Sequence, residues 1–241
     1  MWAHLKILFF LNIILEQAGG NRDVSSCLYL LDNLPDFNVK TTQIQKEVYK
    51  LIYKISLIDN AVDELDSIRC DLVLYNDIAN SKEVDIDQQF YAIKRIIKQI
   101  DCAWELFMKY RLQIISWTLL FENPDTASID DFQTGNFRTV KKNQACKHLS
   151  QNGITPSFLN LRKLAQYRNQ IEHYQVDASL KEVLQTIVNA IDELSLFYAD
   201  HIATIATDTR SINRGIKMLI EVQEAKDNLV ALIDLGMFSN L

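Results

Sequence analysis

Three residue types suited to phosphodiester chemistry lie close together near two thirds of the way along this 241-residue chain, in Arg168-Asn169-Gln170-Ile171-Glu172-His173-Tyr174. A guanidinium such as Arg168 can hold non-bridging phosphate oxygens in a fork and stabilise the charge that develops on them. An imidazole such as His173 titrates near neutrality and can take a proton from a ribose 2′-OH or return one to a leaving 5′-oxygen. Asn169 can orient either the imidazole or a phosphate oxygen. The attacking oxygen then belongs to the RNA, so the chemistry itself asks for no metal and no other cofactor.

The segment from Thr155 to Tyr174 reads as one amphipathic helix carrying these groups. Thr155 can cap its start and Pro156 suits the first helical position, where a missing N–H costs nothing. Phe158, Leu161, Leu164, Ile171 and Tyr174 form its apolar stripe. Arg168 falls inside that stripe, where a guanidinium needs an anion or several hydrogen bonds. On a regular helix Arg168 and His173 stand about 140° apart, whereas Asn169 and His173 share a face. Arg168 and His173 therefore converge only near the helix end or across two subunits. Pairing of Arg168 with Glu172 across one turn is the purely structural alternative.

The pattern Arg168-Asn169-x3-His173 resembles the signature of the HEPN superfamily: Arg, a polar residue, then His four to six residues beyond the Arg. The resemblance implies a bundle of about four helices and a metal-independent ribonuclease, with a composite active site completed by two copies of the motif in a homodimer. It assigns Arg168 and His173 to the essential pair and Asn169 to the polar position. Family members include toxins of toxin–antitoxin pairs, abortive-infection proteins and antiviral ribonucleases, so an antitoxin or defence-system protein is an implied partner. A toxin subgroup carries Tyr two residues after the His; here Tyr174 is one residue after and Gln175 holds that place. Control through that tyrosine is therefore not carried over.

Charge is distributed unevenly. The net charge of −6 does not describe a general nucleic-acid binder. From Phe137 to His173, however, seven basic residues (Arg138, Lys141, Lys142, Lys147, Arg162, Lys163, Arg168) meet one acid, Glu172. Lys141, Lys142, Lys147, Arg162 and Lys163 are thus candidate RNA-binding residues around the motif. A solvated charged face is the alternative reading.

The elements that must position these groups read as helices throughout. Only 6 Gly and 3 Pro occur in the chain, and 48% of residues are hydrophobic, which favours an all-α globular protein. Helices are expected over Trp2 to Gln17 and Val24 to Leu34. Two heptad-like helices follow, from about residue 41 to Tyr75 and from Asp85 to Phe121. Joined by a short polar link, they should form an antiparallel hairpin with arms roughly 50 Å long. Arg111 interrupts the second stripe; it either snorkels, pairs with an acid, or points into the pocket of Arg168. Residues 122 to 142 read as a loop, and Lys142 to Gln151 as a short helix ended by Asn152-Gly153. Beyond the motif, Ser179-Leu180-Lys181-Glu182 is a capping-box pattern opening a helix to about Ala206. His201 near its end reads as a surface or core residue. A last helix, capped by Asp208, runs from Thr209 to about Leu235.

The expected organisation is therefore an N-terminal helical extension (1–40), a HEPN-like helical domain (41–206) and a C-terminal helix packing on it (207–241). The apolar run from Trp2 to Leu15 is too short to span a bilayer and reads as a docking helix, with a signal peptide the lesser alternative. Cys27, Cys70, Cys102 and Cys146 lack metal-ligand spacing and read as buried thiols in a reducing, cytoplasmic compartment. The function expected from all this is cleavage of RNA through the 2′-OH. The alternative is a catalytically inactive module that binds RNA or a nucleotide, or braces a dimer.

Overall fold

A computed structural model describes residues 57–81, 85–155, 157–173, 178–205 and 209–235, with the side chains of Glu172 and His173 outside the described set. Seven α-helices and no strand occur among these residues: α1 (Leu57–Ala79), α2 (Ile86–Ile115), α3 (Ile129–Thr134), α4 (Lys142–Gln151), α5 (Leu159–His173), α6 (Leu180–Tyr198) and α7 (Thr209–Asp234). The fold is all-α. The helices expected over Trp2 to Gln17 and Val24 to Leu34, the first part of the helix after residue 41, and the Asp208 cap lie outside the described residues, as does Cys27.

Helices α1 and α2 lie along one another and supply the centre of the core. Leu65, Ile68 and Leu72 of α1 and Ile97, Ile100 and Phe107 of α2 are fully buried. Each such side chain contributes on the order of 2 kcal/mol by leaving water. Two cross-helix contacts fix the register. The buried Asp71 takes Arg95 at 2.8 Å, and Glu64 lies against Cys102, whose thiol is pushed up to about 11 by burial first and by that carboxylate second. The pairs advance in opposite senses along the two helices. Helices α5 and α6 pack on α2, and α7 packs on α1 and α6. Cys70 is exposed and Cys102 and Cys146 are partly buried, all three as free thiols; the expected burial does not hold for Cys70.

The second long helix stops at Ile115, short of Phe121. Ser116 adopts an extended backbone (φ −161°, ψ 130°) and donates its N–H to the Leu112 carbonyl. The chain then turns so that Trp117, Phe121, Phe132 and Phe137 gather, with Phe121 and Phe137 stacked at 4.0 Å. Residues 122 to 142 are accordingly more ordered than a loop. Ser128 caps α3 by accepting from the Asp131 N–H, and Gly135 ends it at φ 72°. Helix α4 matches the expected Lys142 to Gln151, with Gly153 at φ 76° just beyond.

Helix α6 begins as the sequence indicated, with the Ser179 hydroxyl accepting from the Glu182 N–H. It runs on through a π turn, Ala199–Ala203, where the His201 ring lies 5.3 Å from Phe197. Tyr198 at its end is fully buried and donates to the Ile212 carbonyl at 3.0 Å. Its ring presses on Gly215, where an added Cβ would stand 2.7 Å from Tyr198 Cζ and nearer still to the hydroxyl. Gly215→Ala ordinarily favours a helix by about 1 kcal/mol. Here the clash should outweigh that and destabilise by roughly 1–3 kcal/mol. A thermal unfolding scan should show the midpoint falling by several degrees; an unchanged or raised midpoint would contradict this packing.

Candidate functional site

The motif helix is set in place by three carboxylates from its neighbours. At its start, Glu193 of α6 accepts from the backbone N–H groups of Asn160 at 2.9 Å and Leu161 at 2.9 Å, and from the Asn160 side chain at 2.8 Å. A carboxylate there satisfies donors that no preceding turn can pair and complements the helix dipole. The helix therefore begins at Leu159, not at the expected Thr155; the expected Pro156 position lies outside the described residues. Phe158, just before the helix, sits edge-on between Trp104 of α2 and Phe197 of α6, each at 5.2 Å.

Halfway along, Glu182 takes Lys163 at 2.7 Å and the Tyr167 hydroxyl at 3.2 Å. Hydrogen bonding from Lys163 is the main reason that the exposed Glu182 carboxyl is held below its ordinary range. Tyr167 is buried and joins the stripe of Leu161 and Leu164.

Near the end of the helix, the Arg168 Nη1 donates to Asp101 Oδ2 at 3.3 Å. Asp101 belongs to α2 and its side chain is only 3% exposed, against 34% for Arg168. Its other oxygen takes the Lys142 ammonium of α4, itself 19% exposed. Lys142 also stands 3.9 Å from Glu105 and 5.5 Å from the Trp104 ring. Glu105 in turn takes Lys109 at 2.6 Å, and Lys109 reaches the Thr139 hydroxyl at 3.1 Å. One chain of charges thus runs Arg168–Asp101–Lys142–Glu105–Lys109.

The predicted site residues fall into distinct settings. Arg168 is half-buried and held by Asp101, while Asn169 is exposed one residue on. Helix periodicity places His173 in line with Asn169 and with the exposed Arg162 and Gln166, a ridge at three- and four-residue spacing that carries no acid. Lys142 is committed to the internal charge chain. Lys141 lies 3.0 Å from Glu122, whose carboxyl is lowered first by that hydrogen bond and then by the charges of Lys141 and Arg138. Lys163 is on Glu182, Lys147 is exposed on α4, and Arg162 lies against Cys146, where its charge opposes the burial that raises the thiol.

Arg111 does not share the Arg168 setting. Asp101 lies ten residues earlier on α2, about 15 Å along the axis. Among the described residues no carboxylate pairs with Arg111, and burial alone lowers its guanidinium. The residue that sequence reasoning missed is Asp101. Its signal was present: Ile97, Ile100 and Trp104 mark the buried face, and an acid set among them requires a cation.

Among the described residues no group of three or more His, Cys, Asp or Glu side chains is arranged to hold a metal ion, and no helix is long and apolar enough to cross a membrane. The chain matches no family model, no curated protein and no solved structure.

Asp101→Asn should leave Arg168 and Lys142 facing a neutral amide. Because both cations keep some solvent, the loss should be about 1–3 kcal/mol, read as a lower urea midpoint. Glu105→Gln, at a more exposed position on the same helix, should cost under about 1 kcal/mol. Equal effects from the two substitutions would contradict the central place given to Asp101.

Proposed function

We propose that this protein is a metal-independent endoribonuclease of the HEPN type, acting in a bacterial toxin–antitoxin, abortive-infection or antiviral defence system in the cytoplasm. The observation that carries the reading is the state of Arg168. Its guanidinium is anchored to a buried carboxylate yet one third exposed, next in sequence to the exposed Asn169. A fixed guanidinium at the surface is preorganised for a phosphate and loses little freedom on binding one. The acid-free ridge of Arg162, Gln166 and Asn169, with His173 in register, offers hydrogen-bond donors along the path of a strand.

In the proposed reaction a ribose 2′-oxygen attacks the adjacent phosphorus as the bond from phosphorus to the 5′-oxygen breaks. Arg168 holds the non-bridging oxygens while negative charge grows on them. His173 serves proton transfer, taking the 2′-OH proton or supplying one to the 5′-oxygen, and Asn169 orients the imidazole or the phosphate. The products are a 2′,3′-cyclic phosphate and a 5′-hydroxyl, so the balance closes without water or metal in the first step. Lys147 and Arg162 add attraction for the strand, and two copies of the chain act together on one RNA.

A second reading has an observation of its own. Arg168, Asp101 and Lys142 already form a closed brace across three helices, as a non-catalytic RNA-binding or dimer-bracing module would need. Incubation with RNA in EDTA separates the two. The proposal expects cyclic-phosphate ends from the wild type and a loss of roughly 10²–10³-fold in Arg168→Ala and His173→Ala. A wild type that cuts nothing, or variants that cut equally well, would sink the nuclease reading and leave the brace.

A further inference from the structure

We infer that the outer ridge of α2 near its start is the surface through which two copies of this chain pair. The residues Asp87, Phe90, Tyr91, Lys94 and Lys98 recur at the spacing of a single helix face and are all exposed. Read along the helix, that ridge is an acid, two aromatic rings and then two bases. Phe90 and Tyr91 are 55% and 61% exposed, and Ile86 beside them 56%. Leu74 of α1, more than two fifths exposed, continues the apolar surface. A groove lined by Leu74, Ile78, Asp87, Gln88 and Tyr91 runs between the two helices. An apolar cluster of this extent marks an interaction surface in a folded chain.

The order of charges identifies the occupant. A two-fold axis passing between Phe90 and Tyr91 sets α2 antiparallel to its copy. Asp87 then meets Lys94 of the second chain, and Lys94 meets its Asp87, while the aromatic rings fill the centre. Such a ridge is complementary to itself, which an isologous interface requires. A partner carrying only one sign of charge would repel one end of it. Tyr91 is also held ready: Arg95, paired with the buried Asp71, lies over its ring at 5.9 Å. A braced, exposed aromatic residue at the middle of a patch is the kind of group that dominates binding energy.

The consequence for RNA rests on the proposed function; the pairing itself does not. Asp101 stands about ten residues from the axis, so the two Arg168 anchors would lie roughly 30 Å apart along the paired helices. Each copy then carries its own motif, and the two contact one strand at separate phosphates instead of closing into a single shared site.

Sedimentation velocity on the full chain, without RNA, tests the pairing. The wild type should sediment as a dimer at micromolar concentration, and Phe90→Glu with Tyr91→Glu should give a monomer. Asp87→Lys and Lys94→Asp should each dissociate the dimer by placing like charges opposite one another, and the chain carrying both should recover it. If either single swap fails to fold by circular dichroism, Asp87→Asn and Lys94→Gln replace it and should weaken the dimer at least several-fold. A monomeric wild type, a dimer indifferent to these changes, or a double swap that does not recover would each overturn the inference.

Discussion

A carboxylate that is almost wholly out of water must be matched by cations, and Asp101 is matched by two from different helices. Removing a carboxylate from solvent costs several kcal/mol, which a single partner at 3.3 Å would offset poorly. Arg168 stands on one oxygen and Lys142 on the other. The geometry this imposes is strict. α4 and α5 meet α2 at the same level, and the motif arginine is held there partly exposed. Glu105 and Lys109 extend the arrangement along α2, so that a change at either end alters the field at the other.

The same logic explains why one face of the motif helix is free of acids although the protein is acidic. Several of its acids are spent inward or sideways on holding cationic and backbone groups of the motif helix. Glu193 holds the first N–H groups, Glu182 the middle, and Asp101 the end. The exposed ridge of α5 is left with the guanidinium of Arg162 and the amides of Gln166 and Asn169. Net charge is thus a poor guide to the surface that matters. Position along one helix face decides what a strand would meet.

Helix types and several boundaries were legible because they depend on local signals. The stripe through Ile93, Ile97, Ile100 and Trp104, the Asn152-Gly153 stop and the Ser179 cap each act within one or two turns. The start of the motif helix was not legible in the same way. Thr155 had the right side chain, but the donors are satisfied from α6 by Glu193, a residue over thirty positions away. The Ser128 cap and Gly135 stop of α3 were present in the sequence, yet the helix is one short segment and weakly periodic. The break at Ser116 has no breaker residue; the aromatic cluster of Trp117, Phe121, Phe132 and Phe137 favours it by tertiary contact. Of the candidate site, Arg168 and Asn169 were singled out by residue type and spacing. Asp101 was hidden among apolar neighbours, where its meaning depends on knowing which helix faces it.

The central claim is that Asp101 immobilises the Arg168 guanidinium. Side-chain nitrogen NMR on the full chain addresses it directly, through rotation about the bond from Nε to Cζ of Arg168. The account predicts slow rotation, with separate signals for the two terminal nitrogens, and their merging in Asp101→Asn. A single averaged signal in the wild type, or separate signals that persist in the variant, would contradict it.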